Sequence, residues 1–167
     1  MILREHLLAA LHYAPETGTF TWLIGHGRGR TKGIGSVAGS LDWKGYRRIR
    51  IVRRAYRAHQ LAWLYVYGQW PGMQIDHINR QKDDNRIENL RLVTPAQNKW
   101  NSAAPKTNRS GFKGVFRRGD RWIASMCTGG KRKHLGVFQT AEAAHEAYAA
   151  AERTHRGEFG RAAWPTT

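Results

Sequence analysis

Between Met73 and Asn101 the chain reads MQIDHINRQKDDNRIENLRLVTPAQNKWN, and this order of residues leaves few choices of local fold. MQIDH is a short strand-like run that ends on an acid and a histidine. A polar loop rich in Asn and Asp follows, and then a second strand-like run, NLRLV. Thr94 is a good helix N-cap and Pro95 suits the first helical position, so PAQNKWN is expected to be a short helix. Strand, loop, strand and helix in this order bring Asp76 and the helix residues to one site. Neighbours on a strand face opposite sides, so Asp76 and His77 can serve two different roles.

Charge sets what such a site faces. The 167 residues carry 28 Lys and Arg against 12 Asp and Glu, a formal net charge of +16. An excess of this size points to a polyanionic partner, with nucleic acid favoured over a membrane surface. Four acids lie close together at Asp76, Asp83, Asp84 and Glu88. A chain that binds phosphates keeps acids off its binding surface. The simplest explanation of the cluster is therefore a divalent metal held by hard oxygen ligands, and Mg²⁺ takes only one or two carboxylates. His77, with an ordinary imidazole pKa of about 6.5, is available as a neutral base at physiological pH. The single cysteine, Cys127, excludes an intrachain disulfide and a Cys-rich zinc site, and fits a reducing compartment. The opening MILREHLLAALHY has an acid and histidines within its apolar run and does not read as a signal peptide. No stretch approaches a membrane span. A soluble, cytoplasmic protein is expected.

Apolar residues at Ile2, Leu3, Leu7, Leu8 and Leu11 predict a helix over 1–13, stopped by Pro15 and Gly18. TFTW (19–22) reads as a short strand, and the Gly-rich basic stretch 25–36 as a mobile loop. In GYRRIRIVRRAYRAHQ, Tyr46, Ile49 and Ile51 lie near strand alternation. Six arginines occur between 47 and 57 without an acid, a strand that offers Arg47, Arg48, Arg50, Arg53 and Arg54 to phosphates. AHQLAWLYVYG (58–68) reads as an apolar helix ended by Gly68, with His59 as a core or capping residue. AAPKTNRSG (103–111) has the composition of a linker. Beyond it, GFKGVFRR, DRWIASMC and KRKHLGVFQ are three strand-like runs, followed by the Ala-rich helix TAEAAHEAYAAAERTHRG, which Thr140 can cap.

The motif IDHIN…DNR…NLRLVT…QN…N resembles the HNH endonuclease family with its ββα-metal fold, in the phage-type branch found in homing endonucleases. The likeness is specific over 59–101 and weaker over 13–58. It implies a metal-dependent DNA endonuclease that nicks one strand and leaves a 5′-phosphate and a 3′-hydroxyl. Carried over by position, Asp76 would be a metal ligand and His77 the general base that activates water. Asn89 would hold the loop and backbone around His77, Asn98 would be the second protein ligand, and Asn101 would touch the scissile phosphate. Asparagine at 98, where many members have histidine, suits Mg²⁺, or Mn²⁺, and argues against tight zinc binding.

Residues 110–160 resemble the plant ethylene-response-factor type of DNA-binding domain, the APETALA-two fold, through KGV, W.AS and LGVF.TAEAA..AY..A. That resemblance implies a three-stranded sheet in the DNA major groove, with Arg117, Arg118, Arg121, Ser125, Arg132 and His134 on its contacting face. Trp122 is expected to pack under the sheet on Tyr148, with Phe116 and Phe138 also in the core. The expected class is α+β. A ββα-metal module over 1–102 and a linker at 103–110 precede a small antiparallel sheet packed on one helix over 111–162. The expected molecule is a monomer acting on double-stranded DNA without a membrane. Two rivals stand beside this reading: a DNA-binding regulator with an inactive nuclease module, and an RNA-binding or ribosome-associated basic protein.

Overall fold

The computed structural model describes residues 1–25, 33–101 and 108–159 of the chain. These form a mixed α+β structure of helices and small antiparallel sheets, divided into two compact units, Met1–Thr94 and Pro95–Thr167. Most of the predicted linker, and residues 26–32 of the Gly-rich stretch, lie outside the described residues.

The first unit opens with helix α1 (Arg4–Ala10), which ends earlier than the apolar spacing suggests. Leu11–Ala14 is strand β1, paired antiparallel with β2 (Thr19–Trp22) in the register Leu11↔Trp22 to Ala14↔Thr19. Leu11 and Tyr13 alternate with exposed His12, and that period-two burial overrides the helical spacing. The turn between them contains Gly18 at φ +69°, and a Cβ there would lie 2.3 Å from the amide nitrogen of Arg86. Only glycine lets this turn press against the backbone of the loop that follows the Asp-His pair.

Strands β3 (Ser40–Leu41), β4 (Arg47–Ile51) and β5 (Arg54–Arg57) form a second sheet. The sequence showed no break between β4 and β5. The structure places a two-residue hairpin at Val52 and Arg53, both at positive φ (43° and 65°). Helix α2 (Ala58–Tyr67) follows directly and ends on Gly68 in the left-handed conformation, as the glycine suggested. Ile49, Ile51, Leu61 and Leu64 join Leu7, Leu11, Tyr13 and Phe20 in one core. Against this core stands the hairpin of β6 (Gln74–His77) and β7 (Leu90–Val93), with a short 3₁₀ turn at Ile87–Asn89 before β7.

The second unit begins with helix α3 (Pro95–Asn101), which the sequence reading placed in the first module. The Lys113 ammonium reaches the carbonyls of Lys99 and Trp100 at its C-terminal end, and the Arg156 guanidinium stands 5.3 Å from the Trp100 ring centre. Strands β8 (Val115–Arg118), β9 (Arg121–Thr128) and β10 (Lys131–Phe138) make a three-stranded antiparallel sheet in the order β10-β9-β8. Helix α4 (Ala141–Arg156) covers one face, and Thr140 Oγ1 accepts the Ala143 N–H at 3.1 Å as its cap. Phe112, Val115, Ala124, Met126, Ala144 and Tyr148 form the core, with Trp122 and Phe138 packed on it. A Cβ at Gly114 would fall 2.1 Å from the Tyr148 ring, so the chain must carry glycine where it crosses that tyrosine. Phe116 is not a core residue: it is 40% exposed and lies 5.9 Å from the Arg132 guanidinium. It pairs with Ile123 on the face opposite the helix, so strand alternation puts it outside.

Candidate nuclease site

Strand β6 delivers Asp76 and His77 side by side, and both are buried. Asp76 is the register partner of Arg91 on β7, and Arg91 Nε and a terminal nitrogen lie 3.2 and 3.1 Å from Asp76 Oδ2. His77 lies among aromatic groups. The ring of His59 meets it edge-on at 5.0 Å, and the Tyr46 ring is 6.0 Å away. Burial pushes the His77 pKa below the ordinary imidazole value, although Asn85, Asp76 and Asp84 pull the other way. His59 is pushed down to about 3, first by burial and then by His77 and Arg57, so it is neutral at physiological pH.

The tautomer of His77 follows from its neighbour. Fully buried Asn85 donates from Nδ2 to the Asp83 carbonyl at 2.9 Å, which turns its Oδ1 toward His77 Nε2 at 3.5 Å. An acceptor in that position calls for a proton on Nε2, leaving Nδ1 with the lone pair. Asn85 is itself fixed, because its carbonyl accepts the Tyr13 hydroxyl at 2.6 Å.

The loop between β6 and β7 is cross-tied by amides. Asn89 Oδ1 accepts the Asn79 N–H at 2.9 Å, its Nδ2 donates to the Asp84 carbonyl at 2.8 Å, and its carbonyl accepts the Ile78 N–H. Asn79 Nδ2 donates to Asp84 at 2.6 Å. The acid cluster therefore divides. Asp83 grips Arg47 through two 2.8 Å bonds, and Asp84 and Glu88 both hold Arg86. The Arg86 hydrogen bonds draw the Asp84 carboxyl down to about 2. All four acids thus pair with arginines; Asp83, Asp84 and Glu88 shape the loop, and Asp76, held by Arg91, is the one that flanks His77. Among the described residues, no group of three or more His, Cys, Asp or Glu is arranged to hold a metal. A buried carboxylate such as Asp76 is the kind of oxygen donor a hard divalent cation takes.

Asn98 and the buried Asn101 lie on α3 in the second unit. On the β3–β4–β5 sheet, Arg48 and Arg50 point outward while Ile49 and Ile51 point inward. Exposed Arg57 pairs with Arg48 on that outer face, a position the sequence reading omitted although strand alternation offers it. Arg53 and Arg54 are exposed at and beside the hairpin tip, whereas Arg47 is committed to Asp83. In the second unit, Ser125 and His134 are cross-strand partners on the face opposite the helix, as are Arg132 and Cys127. Arg118 and Arg121 form the end pair of β8 and β9. Arg117 is the partner of Trp122, which packs toward the helix, and its guanidinium lies 6.0 Å from that ring and 3.8 Å from Asp120.

The sequence profile of the HNH endonuclease family matches residues 56–99, the span from β5 through α2 and the β6–β7 hairpin into α3. Protein 3.8 of Escherichia phage T7 is 32% identical over 111 residues, covering 65% of this chain and 91% of that protein. The chain belongs to the HNH endonuclease family. A solved structure described as DNA binding and cleavage by the HNH homing endonuclease I-HmuI aligns with a TM-score of 0.43 at 20% identity, over 88% of this HNH chain and 86% of that one. No helix among the described residues is long and apolar enough to cross a membrane.

Proposed function

We propose that this HNH protein is a metal-dependent DNA endonuclease that nicks one strand, with His77 as its general base. The observation that carries the reading is the buried Asp76-His77 pair, with Asn85 holding a proton acceptor against His77 Nε2. His77 Nδ1 takes the proton of a water molecule as that water's oxygen attacks the phosphorus. The bond from phosphorus to the 3′ oxygen breaks, leaving a 5′-phosphate and, once protonated, a 3′-hydroxyl. Asn89 holds the loop so that the imidazole keeps its aim. Asp76 and, by the family pattern, Asn98 would hold the divalent cation, Mg²⁺ or Mn²⁺. Bound there, the cation would supply the charge that polarises the phosphate and stabilises the leaving oxygen. Asn101 contacts the scissile phosphate.

DNA is held by charge. The outer-face arginines of β4 and β5, with Arg53 and Arg54 at the hairpin, track the phosphate backbone. The second unit, with its sheet open opposite α4, is an APETALA-two-type DNA-binding domain that uses Arg118, Arg121, Ser125, Arg132 and His134, while Arg117 serves at the sheet's edge. The protein acts as a monomer, and one site cuts one strand.

One observation favours a second reading, a DNA-binding regulator with an inactive nuclease module: Arg91 already engages Asp76. Incubation with supercoiled plasmid in Mg²⁺ or Mn²⁺, against EDTA, separates the two. The nuclease reading expects metal-dependent conversion to open circle. Retarded but uncut plasmid on a gel, in either metal, would establish the regulator instead.

A further inference from the structure

The most exposed aromatic side chain of the described residues is Trp43, at 90% of its accessible surface. An indole is the largest apolar group a chain can offer, and leaving one in water without a partner forgoes a large burial gain. It is not exposed on a loose segment. Asp42 accepts the N–H groups of Lys44 and Tyr46 on one carboxylate oxygen, at 2.9 and 3.0 Å. The Asp42 N–H donates to the Tyr46 carbonyl at 2.8 Å, and the Gly45 N–H donates to the Asp42 carbonyl at 2.9 Å. Four hydrogen bonds thus fix a four-residue turn whose second residue is the indole.

The surroundings say what the indole meets. The Lys44 ammonium lies 4.6 Å from the Trp43 ring centre, and exposed Arg48 and Arg57 occupy the adjoining sheet. An aromatic plane set among cations is the chemistry of a base-stacking platform beside a phosphate track. The Asp42 carboxylate, next to the indole, is turned inward onto the backbone. The turn is also registered to the base. Lys82, in the β6–β7 loop, donates to the Lys44 carbonyl at 2.9 Å, and Tyr46, at the end of the turn, stands 6.0 Å from His77.

We propose that Trp43 stacks on an unpaired or unstacked nucleobase of the DNA, near the phosphate that is cut. This rests on the DNA-endonuclease reading. Stacking of this kind contributes about tenfold or more in affinity per base, and it contributes most where the base needs no energy to leave the helix.

The test uses the full-length protein in EDTA with two fluorescein-labelled duplexes, one fully paired and one with a single bulged adenine, read by fluorescence anisotropy over a range of salt. Wild type is expected to favour the bulged duplex. W43A is expected to lose that preference and about tenfold in affinity, W43F to keep most of both, and all three to melt at the same temperature. W43A should leave the slope of log affinity against log salt unchanged, whereas R48A reduces it by about one. Wild-type affinity and preference in W43A would overturn the stacking role while leaving the DNA reading intact. Wild type that sediments as a dimer and W43A as a monomer would also overturn it, making the indole a protein contact. Failure of wild type to bind either duplex would sink both readings together.

Discussion

Replacing Asn85 with aspartate changes one group, a side-chain amide to a carboxylate, 3.5 Å from His77 Nε2. The native amide accepts from His77 without charging it, so burial prevails and the imidazole pKa lies below its ordinary value. A carboxylate at that distance favours the imidazolium, and opposite charges this close move a pKa by about one to three units. The sign is upward for His77. The base is competent only when neutral, so the acid limb of the nicking rate against pH should move up by about one to three units. The rate at a pH below the raised limb should fall with the neutral fraction of His77. Asn85 Nδ2 also supplies the donor to the Asp83 carbonyl, and its loss from a buried site costs about 1–3 kcal/mol. Thermal melting, which should fall by several degrees, shows whether the variant stays folded over the assay range. A folded Asn85→Asp variant whose acid limb coincides with wild type would refute both the Nε2–Asn85 arrangement and His77 as the base.

Three other outcomes follow from the same scaffold. Tyr13→Phe removes the hydroxyl that satisfies the Asn85 carbonyl; it should destabilise the first unit by about 1–2 kcal/mol, read by chemical denaturation, and an unchanged midpoint would contradict that bond. Replacing Val52-Arg53 by Asn-Gly should raise stability by about 1 kcal/mol, because a β-branched residue at φ 43° is strained where Asn and Gly are not; a lower melting temperature would contradict the hairpin geometry. Asp84, drawn down to about 2 by Arg86, contributes stability that is present above the ordinary carboxylate pKa and lost as pH falls from about 4 towards about 2. Asp84→Asn should flatten that part of the stability profile, and an identical acid dependence in the variant would show that the pair does not matter.

Much of the frame was legible in the chain. The Gly68 stop, the strand ending in Asp76-His77, and the three strands and capped helix of the second unit could all be read from turn residues and alternation. What escaped had physical causes. Leu11-His12-Tyr13-Ala14 lies at helical spacing, and its commitment to a hairpin is decided by pairing with residues 19–22. The Val52-Arg53 turn carries no glycine, asparagine or proline to announce it. The division of the acid cluster was hidden because the sequence does not show that Arg47 and Arg86 fold back onto three of its members. Asn85 stood in the DNR run of the motif without a role: its part depends on a buried amide whose orientation is set by the Asp83 carbonyl.

The claim that matters most is that His77 performs the chemistry. The direct measurement is the initial rate of plasmid nicking by His77→Ala against wild type in Mg²⁺, with DNA affinity and melting temperature measured on the same preparations. The expected result is a loss of at least about a hundredfold in rate, with affinity close to wild type and the fold retained. A folded His77→Ala protein that nicks at the wild-type rate would contradict the account.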